Sequence, residues 1–317
     1  MNICVVGAGA IGGWIAAKLA IAGEPVSVLA RGETLRLARA EGLRLEENGE
    51  EFVAAVSASD QAHVVGAQDV VIIAVKAPAL PALASELRPL IGPETIVVPM
   101  LNGVPWWFVE GEELHSVDRG GSIAAALPFE HIIGCVVHAS CSRSGPNHIR
   151  VRHADKLIIG EPDGEASGRS ARLFALLDGA GLKPDLTNNV RRAIWYKLWG
   201  NATINPLSAL TRATADKILA DPECRAWMLE GMAELAAIGA AIGCPISESG
   251  EDRMQVTARL GAFKTSMLQD VEAARPIELE ALVGAPREIA ARYGIETPAL
   301  DRLYNVTKLM AESLGLG

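Results

Sequence analysis

The sequence predicts an α/β protein with an all-helical second domain, and three observations carry that prediction. In the first half, continuous apolar runs alternate with helical patterns, which is typical of a doubly wound parallel sheet. In the second half, Ala, Leu and Glu dominate and apolar residues recur at helical spacing. A chain of 317 residues is also too long for a single hydrophobic core, so two domains are expected.

The first-half elements follow from runs bounded by turn residues. The predicted strands are residues 2–7, 25–30, 69–76 and 95–101, and the predicted helices are residues 10–22 and 80–90. From residue 122 to residue 160 the segments become rich in β-branched residues. We expect these segments to add antiparallel strands that close the sheet.

The division between the two domains is predicted at the polar segment 162–170, which reads PDGEASGRS. This division gives a first domain of residues 1–165 and a second domain of residues 166–317. The predicted helices of the second domain are residues 171–179, 188–210, 222–242 and 276–293.

Charge and composition exclude several classes of partner. Lys and Arg number 29 against 38 Asp and Glu, and this acidic balance disfavours nucleic acid and anionic membranes. The five cysteines form no C-x-x-C pair, so we expect reduced thiols, no metal site and a cytoplasmic protein. Residues 3–23 are almost wholly apolar, but Lys18 interrupts them and no A-x-A site follows, which argues against a signal peptide.

The segment directly after the first strand reads GAGAIG and opens the first helix. In that context Gly7 permits a tight turn, Gly9 lets a pyrophosphate approach the backbone, and Gly12 allows close packing of helix on strand. The helix N-terminus then offers unpaired N–H groups to the phosphates. The candidate cofactor-binding residues here are Gly7, Ala8, Gly9, Ala10, Ile11 and Gly12. The pattern predicts a Rossmann-type domain, and the plainer alternative is an ordinary glycine-rich turn.

The end of the second strand discriminates among dinucleotides. It reads LARG, with no carboxylate before Glu33 to bind a ribose 2′-hydroxyl. Arg31 stands there instead and would accommodate a 2′-phosphate, which favours NADP(H) over NAD and FAD. The alternative is that Arg31 is a solvated loop residue. Lys76 and Asn102 end two later strands, at the edge of the sheet where ligands bind, and both are candidate cofactor residues.

A polar stripe crosses one apolar helix of the second domain. Lys197, Asn201 and Asn205 are spaced four residues apart and therefore share a helix face. An ammonium beside two carboxamides is costly to bury without a polar ligand. The neighbouring tryptophans argue for burial, against the alternative of a solvated stripe. Pro206 is expected to kink the helix at Asn205.

Hydride transfer from a nicotinamide to a carbonyl requires a proton donor, normally His or Lys. All six histidines precede the predicted linker, so we expect Lys197 to be the donor, with a pKa lowered by desolvation. Glu278 and Glu280 interrupt another apolar helix, and a carboxylate near Lys197 would orient the ammonium and the substrate. Ser266 adds a hydroxyl able to hold a substrate carboxylate.

These residues resemble the ketopantoate reductase (2-dehydropantoate 2-reductase) family over essentially the whole chain. The matching motifs are GAGAIG, Arg31, AVK at 74–76, LNG at 101–103, KLWGNATINPL from Lys197, SMLQD from Ser266 and PIEL from Pro276. The Lys-x3-Asn-x3-Asn-Pro element is the most specific of them.

The resemblance implies NADPH-dependent reduction of ketopantoate, a 2-oxoacid, to pantoate in pantothenate biosynthesis. It implies Lys197 as general acid and Glu278 as the carboxylate that binds substrate and positions Lys197. Asn201 and Asn205 would hold substrate oxygens and Ser266 the substrate carboxylate. By the same analogy Lys76 and Asn102 would contact the cofactor. A homodimer is compatible with the sequence but is not specified by it.

Two segments depart from the family pattern. The loop after Gly103 contains Trp106 and Trp107 and runs to Gly121, and we expect it to rebuild the substrate pocket. Residues 211–216 read TRATAD, where some members place another substrate-contacting Asn. Two alternatives therefore stay open: a D-2-hydroxyacid dehydrogenase acting on a bulkier oxoacid, and a non-catalytic NADP-binding sensor.

Overall fold

The structure is a computed structural model that describes residues 1–316, and it consists of two compact units. Unit 1 comprises residues 1–101 and 121–190. Unit 2 comprises residues 102–120 and the chain from residue 191 onward. The chain therefore leaves unit 1 after Leu101, contributes the loop 102–120 to unit 2, and returns.

Unit 1 carries both sheets. In chain order its elements are β1 (Ile3–Val6), α1 (Ala10–Ile21), β2 (Val26–Leu29), α2 (Gly32–Glu41), β3 (Leu43–Glu47), β4 (Glu50–Ala54), β5 (Ser57–Ser59), α3 (Ala62–Val65), β6 (Gln68–Ile73), α4 (Leu80–Leu87), β7 (Ile91–Pro99), α5 (Ser122–Ala126), β8 (Gly134–Gly145), β9 (His148–Gly160), α6 (Gly168–Gly179) and β10 (Pro184–Leu186).

The first sheet is parallel throughout, in the order β5-β2-β1-β6-β7. All four residues of β1 are buried, as are the last four of β6, which explains why these strands read as continuous apolar runs. The strand order reverses at β1, and ligands of such sheets bind where the order reverses, at the carboxyl ends of the strands. The predicted doubly wound α/β fold is confirmed.

The antiparallel strands do not close this sheet, so that part of the prediction is wrong. β8 and β9 pair with each other and join a second sheet of order β10-β9-β3-β4. The reason lies in α1, whose residues are apolar on every side except at Lys18, which pairs with Glu47 of β3 at 2.9 Å. One side of α1 packs on β1 and β2 and another on β3, β4, β8 and β9, so a helix buried all round needs a second layer. Gly13 allows the close approach, because a Cβ there would lie 2.8 Å from the Ile149 side chain.

Unit 2 is helical apart from its loop. Its helices are α7 (Val190–Thr211), α8 (Ala215–Ala220), α9 (Pro222–Ala241), α10 (Gly250–Ala258), α11 (Ser266–Glu272), α12 (Ala285–Arg292) and α13 (Pro298–Ser313). The predicted all-helical second domain is thus confirmed for this part of the chain. No helix within residues 1–316 is both long and apolar enough to cross a membrane.

The observed units differ from the predicted division after residue 165. The segment that follows residue 165 forms α6 and β10, and β10 pairs in parallel with β9 of the second sheet. Because this pairing ties the segment to unit 1, the chain crosses into unit 2 only at α7. The loop 102–120, which the prediction placed in the first domain, belongs to unit 2.

Two predicted helices differ from expectation in where they begin or in how they pass a proline. The helix expected over residues 276–293 begins only at Leu279, opens with a π-helical turn (Glu280–Gly284) and continues as α12. The N–H of Ile277 donates to the carbonyl of Leu316, so the start of this segment is held by the C-terminal chain instead of a helix. Pro206 does not end α7, which continues as a helix to Thr211.

Candidate active site

The glycine turn, residues 7–12, is shaped by what a side chain would meet at each glycine. Gly7 has a φ of +94°, which L-residues rarely adopt. At Gly12 a Cβ would lie 2.0 Å from the Gly7 carbonyl oxygen and 2.8 Å from the Ala74 Cβ, so this glycine is required by the packing of α1 on the sheet. Gly9 differs, because a Cβ there meets nothing within 4 Å. Protein packing therefore explains Gly7 and Gly12 but leaves Gly9 facing open space.

Gly9 is also the N-cap of α1, and no side chain caps the helix there. The first N–H groups of α1, from Ala10, Ile11 and Gly12, have no carbonyl one turn earlier to bond. Open space in front of an uncapped helix N-terminus suits an anion such as a pyrophosphate.

A cavity of about 230 Å³ lies in front of this turn and is called the unit 1 cavity below. It is lined by Val6, Gly7, Ala8, Gly9, Leu29, Ala30, Arg31, Thr34, Asp60, Ala62, Val75, Leu83, Glu86, Leu87 and Arg143. Its walls combine aliphatic side chains with two guanidinium groups and two carboxylates. Such a surface can hold an adenosine with phosphate groups.

Arg31, which follows the second strand, lines this cavity. It is exposed and is the N-cap residue of α2, again without a side-chain cap. Lys76 is exposed and precedes a short 3₁₀ turn, one residue after Val75, which does line the cavity. Thr34 and Arg143 were not predicted. Thr34 had no motif to single it out, and Arg143 comes from the second sheet.

In unit 2, three side chains from distant parts of the sequence form what we call the Lys197 cluster: Lys197, Asn102 and Glu278. The Lys197 Nζ donates a hydrogen bond to Asn102 Oδ1 at 2.9 Å. The Asn102 Nδ2 donates to Glu278 Oε2 at 3.3 Å. Glu278 is 5% exposed. Asn102 therefore connects the ammonium to a buried carboxylate, whereas the sequence assigned Asn102 to the cofactor only.

The orientation of α7 places Lys197 in this cluster. Trp195 and Trp199 are both buried, and their indole N–H groups donate to the carbonyls of Leu235 at 3.0 Å and Met232 at 2.8 Å. These two bonds fasten one face of α7 to α9. Lys197 lies half-buried on another face of α7, where Asn201 is also half-buried and Asn205 is buried.

Asn102 and Glu278 are brought together by backbone contacts. The N–H of Val104 donates to the Ala281 carbonyl in the π-helical turn at 2.8 Å. Gly103 has a φ of +82°, and a Cβ there would lie 2.4 Å from the same carbonyl oxygen. Only glycine therefore allows the loop to approach the π-helical turn this closely. The turn begins two residues after Glu278, so the contact sets Asn102 beside it.

The loop 102–120 is anchored a second time at its other half. The Glu288 carboxylate accepts hydrogen bonds from the backbone N–H groups of His115 at 2.9 Å and Ser116 at 2.8 Å, and from the Ser116 hydroxyl at 2.7 Å. Arg292 pairs with the same carboxylate at 2.6 Å. Burial acts to raise the pKa of Glu288, but these hydrogen bonds outweigh it and hold the pKa below its ordinary value.

The remaining predicted substrate residues lie on two helices, Asn201 and Asn205 on α7 and Ser266 on α11. Asn201 and Asn205 lie on α7 in the register of Lys197, and Asn205 is 5% exposed. Neither carboxamide forms a hydrogen bond with another residue in the range 1–316. Ser266 is exposed at the first position of α11, where the capping hydroxyl is that of Thr265, which accepts from the Leu268 N–H.

Trp106 and Trp107 do not open a pocket, contrary to our expectation. Each is 4% exposed, and the adjacent Phe108 is fully buried and stacks on Trp195 with ring centroids 5.8 Å apart. These apolar rings are more stable packed in the core of unit 2 than facing solvent. A larger cavity in unit 2, of about 660 Å³, is lined by Ser116 of the loop 102–120 and by residues between 280 and 304, and by no member of the Lys197 cluster.

Comparison with known proteins decides the family. The ketopantoate reductase PanE/ApbA family matches residues 3–164, and the ketopantoate reductase PanE/ApbA C-terminal family matches residues 189–311. The chain belongs to the ketopantoate reductase family. The predicted family and the prediction of an oxidoreductase are both confirmed.

Individual members of the family agree with this assignment. The chain is 41% identical to the 2-dehydropantoate 2-reductase of Mesorhizobium japonicum, over 99% of both chains. Among solved structures, a chain from Ralstonia solanacearum MolK2 assigned to the ketopantoate reductases is 51% identical, with a TM-score of 0.95 and 99% of each chain covered. A D-mandelate dehydrogenase solved with NADH has a TM-score of 0.86 at 21% identity, with all of both chains covered, which shows a shared fold.

Proposed function

We propose that this ketopantoate reductase family member reduces 2-dehydropantoate to pantoate with NADPH, as a step of pantothenate biosynthesis. Unit 1 binds the cofactor and unit 2 supplies the chemistry. The observation that carries the proposal is the Lys197 cluster, in which a lysine ammonium is hydrogen-bonded through Asn102 to the buried Glu278. The 41% identity to a named 2-dehydropantoate 2-reductase supports the choice of substrate.

The residues of unit 1 fit NADPH. Gly9 and the uncapped N-terminus of α1 would receive the pyrophosphate, and Arg31 would pair with the 2′-phosphate. When bound, NADPH supplies the hydride for reduction of the carbonyl. The absence of an acidic residue at the end of β2 supports NADPH over NADH. Lys76 is proposed as a further cofactor contact.

Lys197 acts as the general acid. Its ammonium donates a proton to the carbonyl oxygen as negative charge develops there. The hydrogen bond that the Asn102 carboxamide accepts aims the ammonium, and Glu278 holds Asn102 in that orientation. Because Asn102 accepts from Lys197 and donates to Glu278, its amide orientation is determined by its two neighbours. Asn201 and Asn205 donate to substrate oxygens, and Ser266 binds the substrate carboxylate.

The alternative of a bulkier aromatic oxoacid loses its main support. It was based on Trp106 and Trp107, and both side chains are buried. The likeness to D-mandelate dehydrogenase extends to the fold alone at 21% identity. A non-catalytic NADP-binding sensor is disfavoured by the intact Lys197 cluster.

The test is the initial rate of cofactor oxidation by the purified protein with 2-dehydropantoate, measured with NADPH and with NADH. Phenylglyoxylate serves as the bulky aromatic 2-oxoacid. We expect turnover with 2-dehydropantoate and NADPH, and much slower rates for the other combinations. Turnover of phenylglyoxylate alone would move the substrate assignment, and equal rates with both cofactors would remove the NADPH preference.

A further inference from the structure

The unit 1 cavity contains a second arginine that belongs to neither the glycine turn nor the parallel sheet. Arg143 lies near the end of β8, in the second sheet, and lines the cavity together with Arg31 and Thr34. No sequence motif of a dinucleotide-binding βαβ unit includes a residue from such a strand. The second sheet therefore contributes a charged side chain to a site that the first sheet is expected to build alone.

The backbone around Arg143 is arranged to present it there. The register of β8 against β9 shifts between Arg143 and Gly145. Shifts of this kind bend a strand and redirect a side chain, and they are frequent beside functional sites. The Thr34 hydroxyl donates to the Pro146 carbonyl at 3.1 Å, which ties the end of the hairpin to the first turn of α2.

A second pair of bonds holds the same hairpin at the other end of α2. The Asn147 side chain donates to the Gly42 carbonyl at 2.9 Å, and the Arg44 N–H donates to the Asn147 carbonyl at 2.8 Å. The hairpin end is thus hydrogen-bonded at both ends of α2, whose N-cap is Arg31. Arg143 and Arg31 are held on one framework.

The two guanidinium groups of the cavity, Arg31 and Arg143, are available to an anion. Neither Arg31 nor Arg143 forms an ion pair with any residue in the range 1–316. The lining also contains two carboxylates: Asp60 lies 4.0 Å from Arg39, and Glu86 forms no ion pair within residues 1–316. Two guanidinium groups in one cavity repel each other, and a dianionic phosphate between them would remove that repulsion.

We infer that Arg143 is a second determinant of cofactor specificity, which holds the 2′-phosphate of NADPH opposite Arg31. This inference rests on the proposed NADPH dependence. It adds a residue from the second sheet to the recognition of the 2′-phosphate. Arg143 contributes to binding of the phosphorylated nucleotide and contributes nothing to a nucleotide that lacks the phosphate.

The test is isothermal titration calorimetry with two probes, ADP-ribose 2′-phosphate and ADP-ribose. These probes contain no nicotinamide, so binding is measured without turnover. Arg143→Ala is expected to weaken the phosphorylated probe by about tenfold to a hundredfold, since a hydrogen bond to a charged group contributes about 1.5–3 kcal/mol. The Kd of ADP-ribose is expected to stay within about twofold, because this probe lacks the phosphate that Arg143 is proposed to contact. Arg143→Lys should restore part of the loss.

Arg152→Ala is the matched control, because Arg152 is an exposed arginine of β9 outside the cavity lining. It should leave both dissociation constants unchanged. Melting temperatures of all variants are measured in parallel to show that each one folds.

The outcomes separate this inference from the proposal on which it rests. An equal loss for both probes in Arg143→Ala would place the guanidinium against the adenine or the diphosphate and overturn the inference. No loss for either probe would overturn it as well, while a phosphate-selective loss in Arg31→Ala would leave NADPH dependence intact. If the wild-type protein bound both probes equally, the proposed NADPH dependence itself would fail.

Discussion

The proposed phosphate site of unit 1, the glycine turn, consists of backbone atoms from six consecutive residues. The Lys197 cluster of unit 2 consists of three side chains instead. Asn102 is 95 positions from Lys197 and 176 positions from Glu278 in the sequence. A local turn needs only the correct backbone angles, which glycine supplies, whereas the cluster needs the loop 102–120, α7 and the segment before α12 to pack correctly. The two sites should therefore fail in different ways when they are mutated.

The largest effect is expected from Lys197→Ala. Loss of a general acid typically lowers kcat by about two to four orders of magnitude. The affinity for NADPH should change little, because Lys197 lies in unit 2, whereas the glycine turn and Arg31, which are proposed to bind the phosphates, lie in unit 1. Stopped-flow rates and fluorescence titration of NADPH measure the two quantities.

Lys308→Ala is the control for that variant. Lys308 lies on α13 and is half exposed beside Glu312, so its removal should alter neither quantity. An unchanged kcat in Lys197→Ala would remove Lys197 from the mechanism.

Gly103→Ala tests whether the cluster depends on the approach of the loop to Ala281. The new Cβ would lie 2.4 Å from the Ala281 carbonyl oxygen and must displace Asn102. Because a misplacement of about 1 Å can cost about a hundredfold, kcat should fall by about tenfold to a hundredfold while NADPH affinity is retained.

Gly111→Ala is the matched control within the same loop. Gly111 also has a positive φ, of +71°, but a Cβ there meets nothing within 4 Å. It shares the backbone strain and lacks the clash. If both variants lost the same activity, strain in the loop, and not the contact with Ala281, would explain the result.

The glycine turn offers the converse comparison, between Gly9→Ala and Gly12→Ala. Gly9→Ala should keep the melting temperature, since the new Cβ meets open space, yet weaken NADPH by about tenfold, or about 1.4 kcal/mol. Gly12→Ala should lower the free energy of unfolding by about 1–3 kcal/mol, because its Cβ would collide with the Gly7 carbonyl. A Gly9→Ala variant with unchanged NADPH affinity would contradict the phosphate role of this turn.

The smallest effect concerns the anchor of the loop at Glu288. Its pKa is lowered in the folded protein, so its contribution to stability is present at neutral pH and is lost as the pH falls through the folded pKa. Glu288→Gln should lower the free energy of unfolding at pH 7 by about 1–2 kcal/mol and flatten the loss of stability below about pH 5. Thermal melts across pH 3–7 would check this, with Glu312→Gln as the exposed control. Parallel pH profiles for Glu288→Gln and the wild type would refute it.

Part of the fold could be predicted because buried parallel strands are continuous apolar runs. β1, β2, β6 and β7 all lie within predicted strands or overlap them. β3, β4 and β5 were missed, since they read LRLEE, EEFVA and SAS and carry too few apolar residues to give a signal. The β8–β9 hairpin was predicted as antiparallel, but its sheet was not, because strand pairing across α1 leaves no trace in local periodicity.

The candidate site also has a part that local sequence patterns predict and a part that only long-range packing decides. By itself, the sequence determined the glycine turn, the position of Arg31 after β2 and the Lys197, Asn201 and Asn205 stripe, because helix and turn geometry depend on neighbours within a few residues. Only the tertiary structure decided that Asn102 connects Lys197 to Glu278, that Trp106 and Trp107 pack into the core, and that Arg143 joins Arg31. These contacts depend on long-range packing and on a close approach at glycine, and no local pattern encodes either of them.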